Sequence, residues 1–110
     1  LNVFNNESKT IIFNEIKTLS SGTNYYLKVN FKNLISEMLN ELYNIDITSI
    51  IVEGGAYTLN KFIDKNIYDE VRVFTTKTLL KKGIKSPNIP DIKKILSKSI
   101  DNDLLDIYIK

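Results

Sequence analysis

Ile50-Ile51-Val52 runs straight into Glu53-Gly54-Gly55, and a helix-like pattern begins at Ala56. Three apolar β-formers, an acid, two glycines and a helix start predict a strand, a tight loop and a helix. Glycine reaches φ > 0 and lets a ligand come close to the main chain. A helix start offers unpaired N–H groups and the positive end of the helix dipole. The same pattern also fits a sharp βα turn whose glycines only relieve crowding, because a Gly-rich motif alone is a weak signal.

The rest of the chain predicts an α/β domain. Thr10-Ile11-Ile12-Phe13 reads as a strand, Gly22-Thr23-Asn24 as a turn and Tyr25 to Val29 as a second strand. Asn30 or Asn33 is placed to cap the element that follows. Leu34, Met38 and Leu42 recur every four residues, shadowed by Ile35, Leu39 and Tyr43, which predicts one broad apolar helix face. That helix ends over Asn44 to Asp46. A short connection into Ile50-Ile51-Val52 then suggests a crossover onto a sheet covered on both faces.

The second helix is expected from about Ala56 to about Lys65, with Leu59, Phe62 and Ile63 on one side and Asn66 as a left-handed cap. Asp69 to Thr76 reads as a strand, and Lys77 to Pro90 as a polar connection. Ile92 to Lys110 reads as an antiparallel hairpin turning at Asp101-Asn102-Asp103. The expected fold is therefore α/β, with a mixed sheet, flanking helices and a C-terminal hairpin.

Composition narrows the chemistry. The 110 residues suit one small domain and contain neither Cys nor His. Disulfides, thiolate metal sites and Ser-His or Cys-His catalysis are excluded within the chain. A net charge of +2 is too balanced to imply nucleic-acid binding. No apolar run has the length of a membrane span, and no signal-peptide pattern opens the chain.

Other residues carry bland readings beside functional ones. Arg72 is expected to pair with a nearby acid such as Asp69 or Glu70. Lys77, Lys81, Lys82 and Lys85 read as a solvated loop or as a device that steers an anionic substrate. Tyr25, Tyr26, Tyr43 and Tyr68 are expected at the core or its rim. Asp101 and Asp103 are expected as turn residues rather than metal ligands.

Ile50 to Ile63, then Asp69-Glu70-Val71-Arg72-Val73-Phe74, then Leu79-Leu80 and Gly83-Ile84, together resemble the C-terminal half of the reductase domain of the bifunctional riboflavin-biosynthesis deaminase/reductase. The resemblance implies a dihydrofolate-reductase-like fold, with residues 1–110 forming the C-terminal portion of a single reductase domain. It implies NADPH-dependent reduction of a phosphorylated aminopyrimidine, the ribosylamino group becoming ribitylamino. By position, Glu53 would hold the substrate. Gly54, Gly55, Ala56, Tyr57, Thr58, Leu59, Asn60 and Lys61 would line the cofactor site.

Zinc would belong only to a deaminase domain preceding this chain. A cytoplasmic homo-oligomer, contacting through the hairpin, is also implied. Such a fragment is expected to be inactive alone and to expose sheet edges. One departure is plain: Lys81-Lys82-Gly83 stands where family members often carry a glycine-rich triplet. Two rival expectations remain, another reductase of dihydrofolate-reductase type and a non-catalytic phosphate-binding or assembly domain.

Overall fold

The computed structural model describes residue 5 and residues 7–110. The chain divides into two compact units, Leu1–Ile50 and Ile51–Lys110.

The first unit is built on three strands. Strand β1, Thr10–Asn14, is the predicted β-branched run. It ends in an Asn14 turn, where the side-chain Oδ1 accepts from the N–H groups of Ile16 and Lys17 at 2.9 and 2.8 Å. Strand β2, Leu19–Ser21, turns at Gly22-Thr23 into β3, Asn24–Lys28. Gly22 holds φ 61°, the conformation that a two-residue hairpin needs at its first position. The sheet order is β1-β3-β2, with β1 parallel and β2 antiparallel to β3. This is a mixed sheet.

A short 3-10 turn, Phe31–Asn33, leads from β3 into helix α1, Leu34–Asn44. Of the two candidate caps, Asn30 is the one used: its side chain accepts from Lys32 N–H at 2.9 Å, whereas Asn33 makes no capping bond. Val29 and Ile35 are the buried apolar side chains among the described residues of this unit. Tyr43 departs from expectation. It closes one apolar stripe of α1 yet is 72% exposed, neither core nor rim.

The second unit opens on Ile51-Val52, and here the structure corrects the sequence reading. Residues 47–53 form no strand and no ladder with either sheet. A β-branched run supplies propensity, but a strand exists only when its N–H and C=O groups find a neighbouring chain. Ile51 is 89% exposed. The expected crossover is absent for the same reason, since no parallel strand follows α1.

Helix α2, Ala56–Asp64, lies within the predicted span and buries Phe62. Strand β4, Glu70–Thr75, follows. The hairpin comprises β5, Lys93–Ile100, and β6, Asp103–Ile109. The order is β4-β6-β5, wholly antiparallel. The described residues thus hold two three-stranded sheets rather than one.

Both helices end alike. Asp46 (φ 63°) and Asn66 (φ 57°) take the left-handed position that glycine usually fills. At α1, Asp46 N–H reaches Tyr43 O and Ile47 N–H reaches Leu42 O. At α2, Asn66 N–H reaches Ile63 O and Ile67 N–H reaches Phe62 O. That paired arrangement satisfies the last carbonyls of each helix.

Candidate functional site

The expected site, Glu53 to Lys61, lies entirely within the second unit. Gly54 and Gly55 prove to have different jobs. Gly54 sits at φ +139°, which side-chain-bearing residues rarely adopt. A Cβ there would stand 3.9 Å from Thr58 Cβ, an ordinary contact, so torsion alone demands glycine. Gly55 is the N-cap of α2, in extended conformation at φ −71° and ψ 162°. A Cβ on Gly55 would meet nothing within 4 Å. Neither torsion nor packing inside the chain requires glycine at this position.

The start of α2 is bare. No side chain caps it. The Gly55 carbonyl accepts from Thr58 and Leu59 N–H at 3.1 and 3.3 Å. The N–H groups of Ala56 and Tyr57, in the first turn, have no partner inside the helix. The approach to α1 is different. There Glu37 Oε2 accepts from Asn30 N–H at 2.6 Å and Glu15 Oε1 from Phe31 N–H at 3.0 Å. Carboxylates already occupy the donors ahead of α1, whereas α2 keeps its first donors open.

Glu53 is exposed, and no hydrogen bond or ion pair holds it among the described residues. Tyr57 is 76% exposed, with Lys61 Nζ over its ring at 4.7 Å from the centroid. Thr58 is exposed, while Ala56, Leu59, Asn60 and Lys61 are half-buried. Glu53, Gly54, Gly55, Tyr57 and Thr58 therefore form the open end of the segment.

Two further sequence readings can be placed. Arg72 Nε pairs with Glu70 Oε1, as a nearby surface acid was expected to do. Asp101 (φ 50°) and Asn102 make the two-residue turn of the β5–β6 hairpin, whereas Asp103, expected in the turn, is the first residue of β6 and pairs with Ile100. No group of acidic or other ligating side chains fit for a metal ion is found among the described residues. No helix among them is long and apolar enough to cross a membrane.

Two polar features were not anticipated. A shallow depression of about 410 Å³ in the first unit is lined by Glu15, Lys28, Val29, Asn30 and Glu37. Asp106, on the central strand β6, is only 8% exposed. One of its oxygens accepts from Lys94 Nζ at 2.8 Å, and the other has no hydrogen-bond partner. The Lys94 hydrogen bond, then one from Ser97, holds the Asp106 carboxyl below its ordinary value. The same Asp106 bond holds Lys94 above its own. In sequence Asp106 and Tyr108 alternate with Leu105, Ile107 and Ile109, a pattern that places Asp106 on the opposite face from those apolar residues. Its burial follows from β6 lying between β4 and β5.

Comparison with known proteins gives the family and the fold. The sequence matches the RibD C-terminal domain family over residues 1–88. The chain belongs to that family. The match includes the whole of Glu53 to Lys61 and stops before the β5–β6 hairpin.

Among solved structures, the chain is similar to a diaminohydroxyphosphoribosylaminopyrimidine deaminase/5-amino-6-(5-phosphoribosylamino)uracil reductase from Thermotoga maritima. The TM-score is 0.80 at 22% identity, over 97% of this chain and 32% of the neighbour. This likeness carries the hairpin as well, and it shows a dihydrofolate-reductase-like fold. The chain thus spans about a third of the neighbour's length. A comparison with curated protein sequences finds no match.

Proposed function

We propose that this RibD C-terminal domain acts, within a longer deaminase/reductase chain, in the NADPH-dependent reduction of 5-amino-6-(5-phosphoribosylamino)uracil to its ribitylamino product in riboflavin biosynthesis. The observation that carries the reading is Gly55. Beyond its preference as a cap, neither torsion nor packing inside the chain calls for glycine there, and it opens a bare helix start in a member of this family. A residue kept free of a side chain, beside free N–H groups, suits an anionic ligand lying against the backbone.

The donor set fits a dinucleotide phosphate. The Ala56 and Tyr57 N–H groups and the Thr58 hydroxyl are donors, and Gly54 and Gly55 leave the approach open. NADPH bound there would supply the hydride that reduces the sugar carbon. The residues of this chain bind and orient. Glu53, unpaired at the mouth of the loop, accepts hydrogen bonds from pyrimidine N–H or sugar hydroxyl groups. Gly54 to Lys61 hold the cofactor.

A cytoplasmic homo-oligomer accompanies this reading. The exposed edge strand β5 carries Lys93, Lys94 and Lys98 and a bulge between Lys94 and Leu96. Those features work against edge-to-edge pairing, so copies that meet at the hairpin would meet through its faces.

The test is NADPH oxidation by the full-length protein with the phosphoribosylamino-pyrimidine as substrate. Glu53→Gln should raise KM for the pyrimidine and Gly55→Val should raise KM for NADPH. If both variants turn over like the parent, the site assignment is wrong. Turnover of a pterin or folate with none on the pyrimidine would assign a different substrate to the same fold.

A further inference from the structure

The connection from β4 to β5 concentrates the positive charge of the chain. Residues 77–90 contain Lys77, Lys81, Lys82 and Lys85 and no acid. With +4 in this loop and +2 overall, the rest of the chain is −2. The ion pairs found among the described residues, Arg72–Glu70 and Lys94–Asp106, involve none of these four lysines. Lys77 lines a depression of about 360 Å³ beside Asp101 and Asp103, so carboxylates stand near it. Lys81, Lys82 and Lys85 line neither that depression nor the one in the first unit.

The apolar neighbours of these lysines are equally unengaged. Leu79, Leu80 and Ile84 are 90, 82 and 92% exposed. A loop whose leucines are left exposed and whose Lys81, Lys82 and Lys85 join no ion pair among the described residues is presented outward. Lysine ammonium groups on flexible stems suit phosphate as point charges. A net charge held in one place raises the encounter rate of an oppositely charged ligand, and salt screens the effect.

We infer that Lys81, Lys82 and Lys85 form an anion-recruiting loop that draws phosphorylated ligands carrying two or more negative charges to this domain. Here lysines stand in the place of the backbone donors that a glycine-rich loop would offer. The inference rests on the reductase reading above, and it assigns the loop to capture rather than to the reaction itself.

Stopped-flow fluorescence of NADPH binding to the full-length protein tests it. In Lys81→Gln/Lys82→Gln, the association rate at low salt should fall about tenfold, with dissociation unchanged. The difference should shrink to within about twofold near 0.5 M salt. Lys81→Arg/Lys82→Arg should restore the parent rate. A parent that binds NADPH, with a Gln variant associating equally fast at low salt, overturns the inference and leaves the reductase reading standing. A slowing that persists at high salt, or that Arg fails to rescue, also overturns it. A parent that binds no NADPH overturns both.

Discussion

Replacing Gly54 and Gly55 one at a time separates a glycine that the fold needs from one that the ligand needs. At Gly54 an added Cβ meets only Thr58 Cβ, at 3.9 Å, so crowding contributes nothing. The cost of Gly54→Ala is torsional, about 1–3 kcal/mol for a residue held at such a φ. The loss of unfolded-chain freedom offsets about 0.4–1 kcal/mol of it. The net destabilisation is about 1–2 kcal/mol, which lowers the melting midpoint of the longer full-length protein by about 2–8 °C.

Gly55→Ala meets neither a forbidden torsion nor a neighbour. Alanine is a poorer N-cap than glycine by about 0.5–1 kcal/mol, and an entropy gain of similar size opposes that, so stability should stay within about 0.5 kcal/mol. Its methyl group projects where the cofactor would approach, and NADPH affinity should fall at least about tenfold, or 1.4 kcal/mol. Thermal unfolding monitored by circular dichroism and NADPH calorimetry on the two full-length variants give both numbers. Unchanged NADPH affinity in Gly55→Ala, or an unshifted midpoint in Gly54→Ala, refutes the division of labour.

Three further outcomes are expected. The folded-state value of Asp106 lies below its ordinary 3.8, so its stabilisation is complete above that pH and disappears as pH falls through the folded value. Lys94 lies above its ordinary 10.5, and its contribution is lost as pH rises through the raised value. Melting midpoints against pH should show a weaker acid decline below pH 3.8 in Asp106→Asn than in the parent, with the alkaline decline weakened in Lys94→Gln. Asn66→Val, which places a β-branched residue at φ 57°, should cost about 1–2 kcal/mol by denaturant titration. Phe62→Ala, which empties the buried position of α2, should cost about 3–5 kcal/mol in the same assay.

Both helices and five of the six strands were legible because local pattern and tertiary pairing agree. The run at Thr10 and the strand from Leu105 to Ile109 each have a neighbouring strand that suits their period. The two failures are opposite in kind. Leu19-Ser20-Ser21 has little strand character and is fully exposed, yet it is a strand because β3 lies beside it. Ile50-Ile51-Val52 has every propensity and is not, because no ladder reaches it. Pairing is decided by a neighbour that local sequence does not contain.

The candidate site shows the same limit. Two adjacent glycines before a helix announced a special loop. Which glycine answers to φ and which to open space depends on backbone geometry that the letters do not carry. Asp106 was hidden for a related reason. A central strand has neighbours on both sides, and Lys94 reaches Asp106 from β5, where Ser97 is its register partner.

The most direct test of the account is a crystal structure of the full-length protein with NADP⁺. The account predicts the cofactor's phosphates within hydrogen-bond distance of the Ala56 and Tyr57 N–H groups, lying against Gly55, with the Glu53 carboxylate left free for the pyrimidine. A cofactor bound elsewhere, with the start of α2 open to solvent, would contradict it.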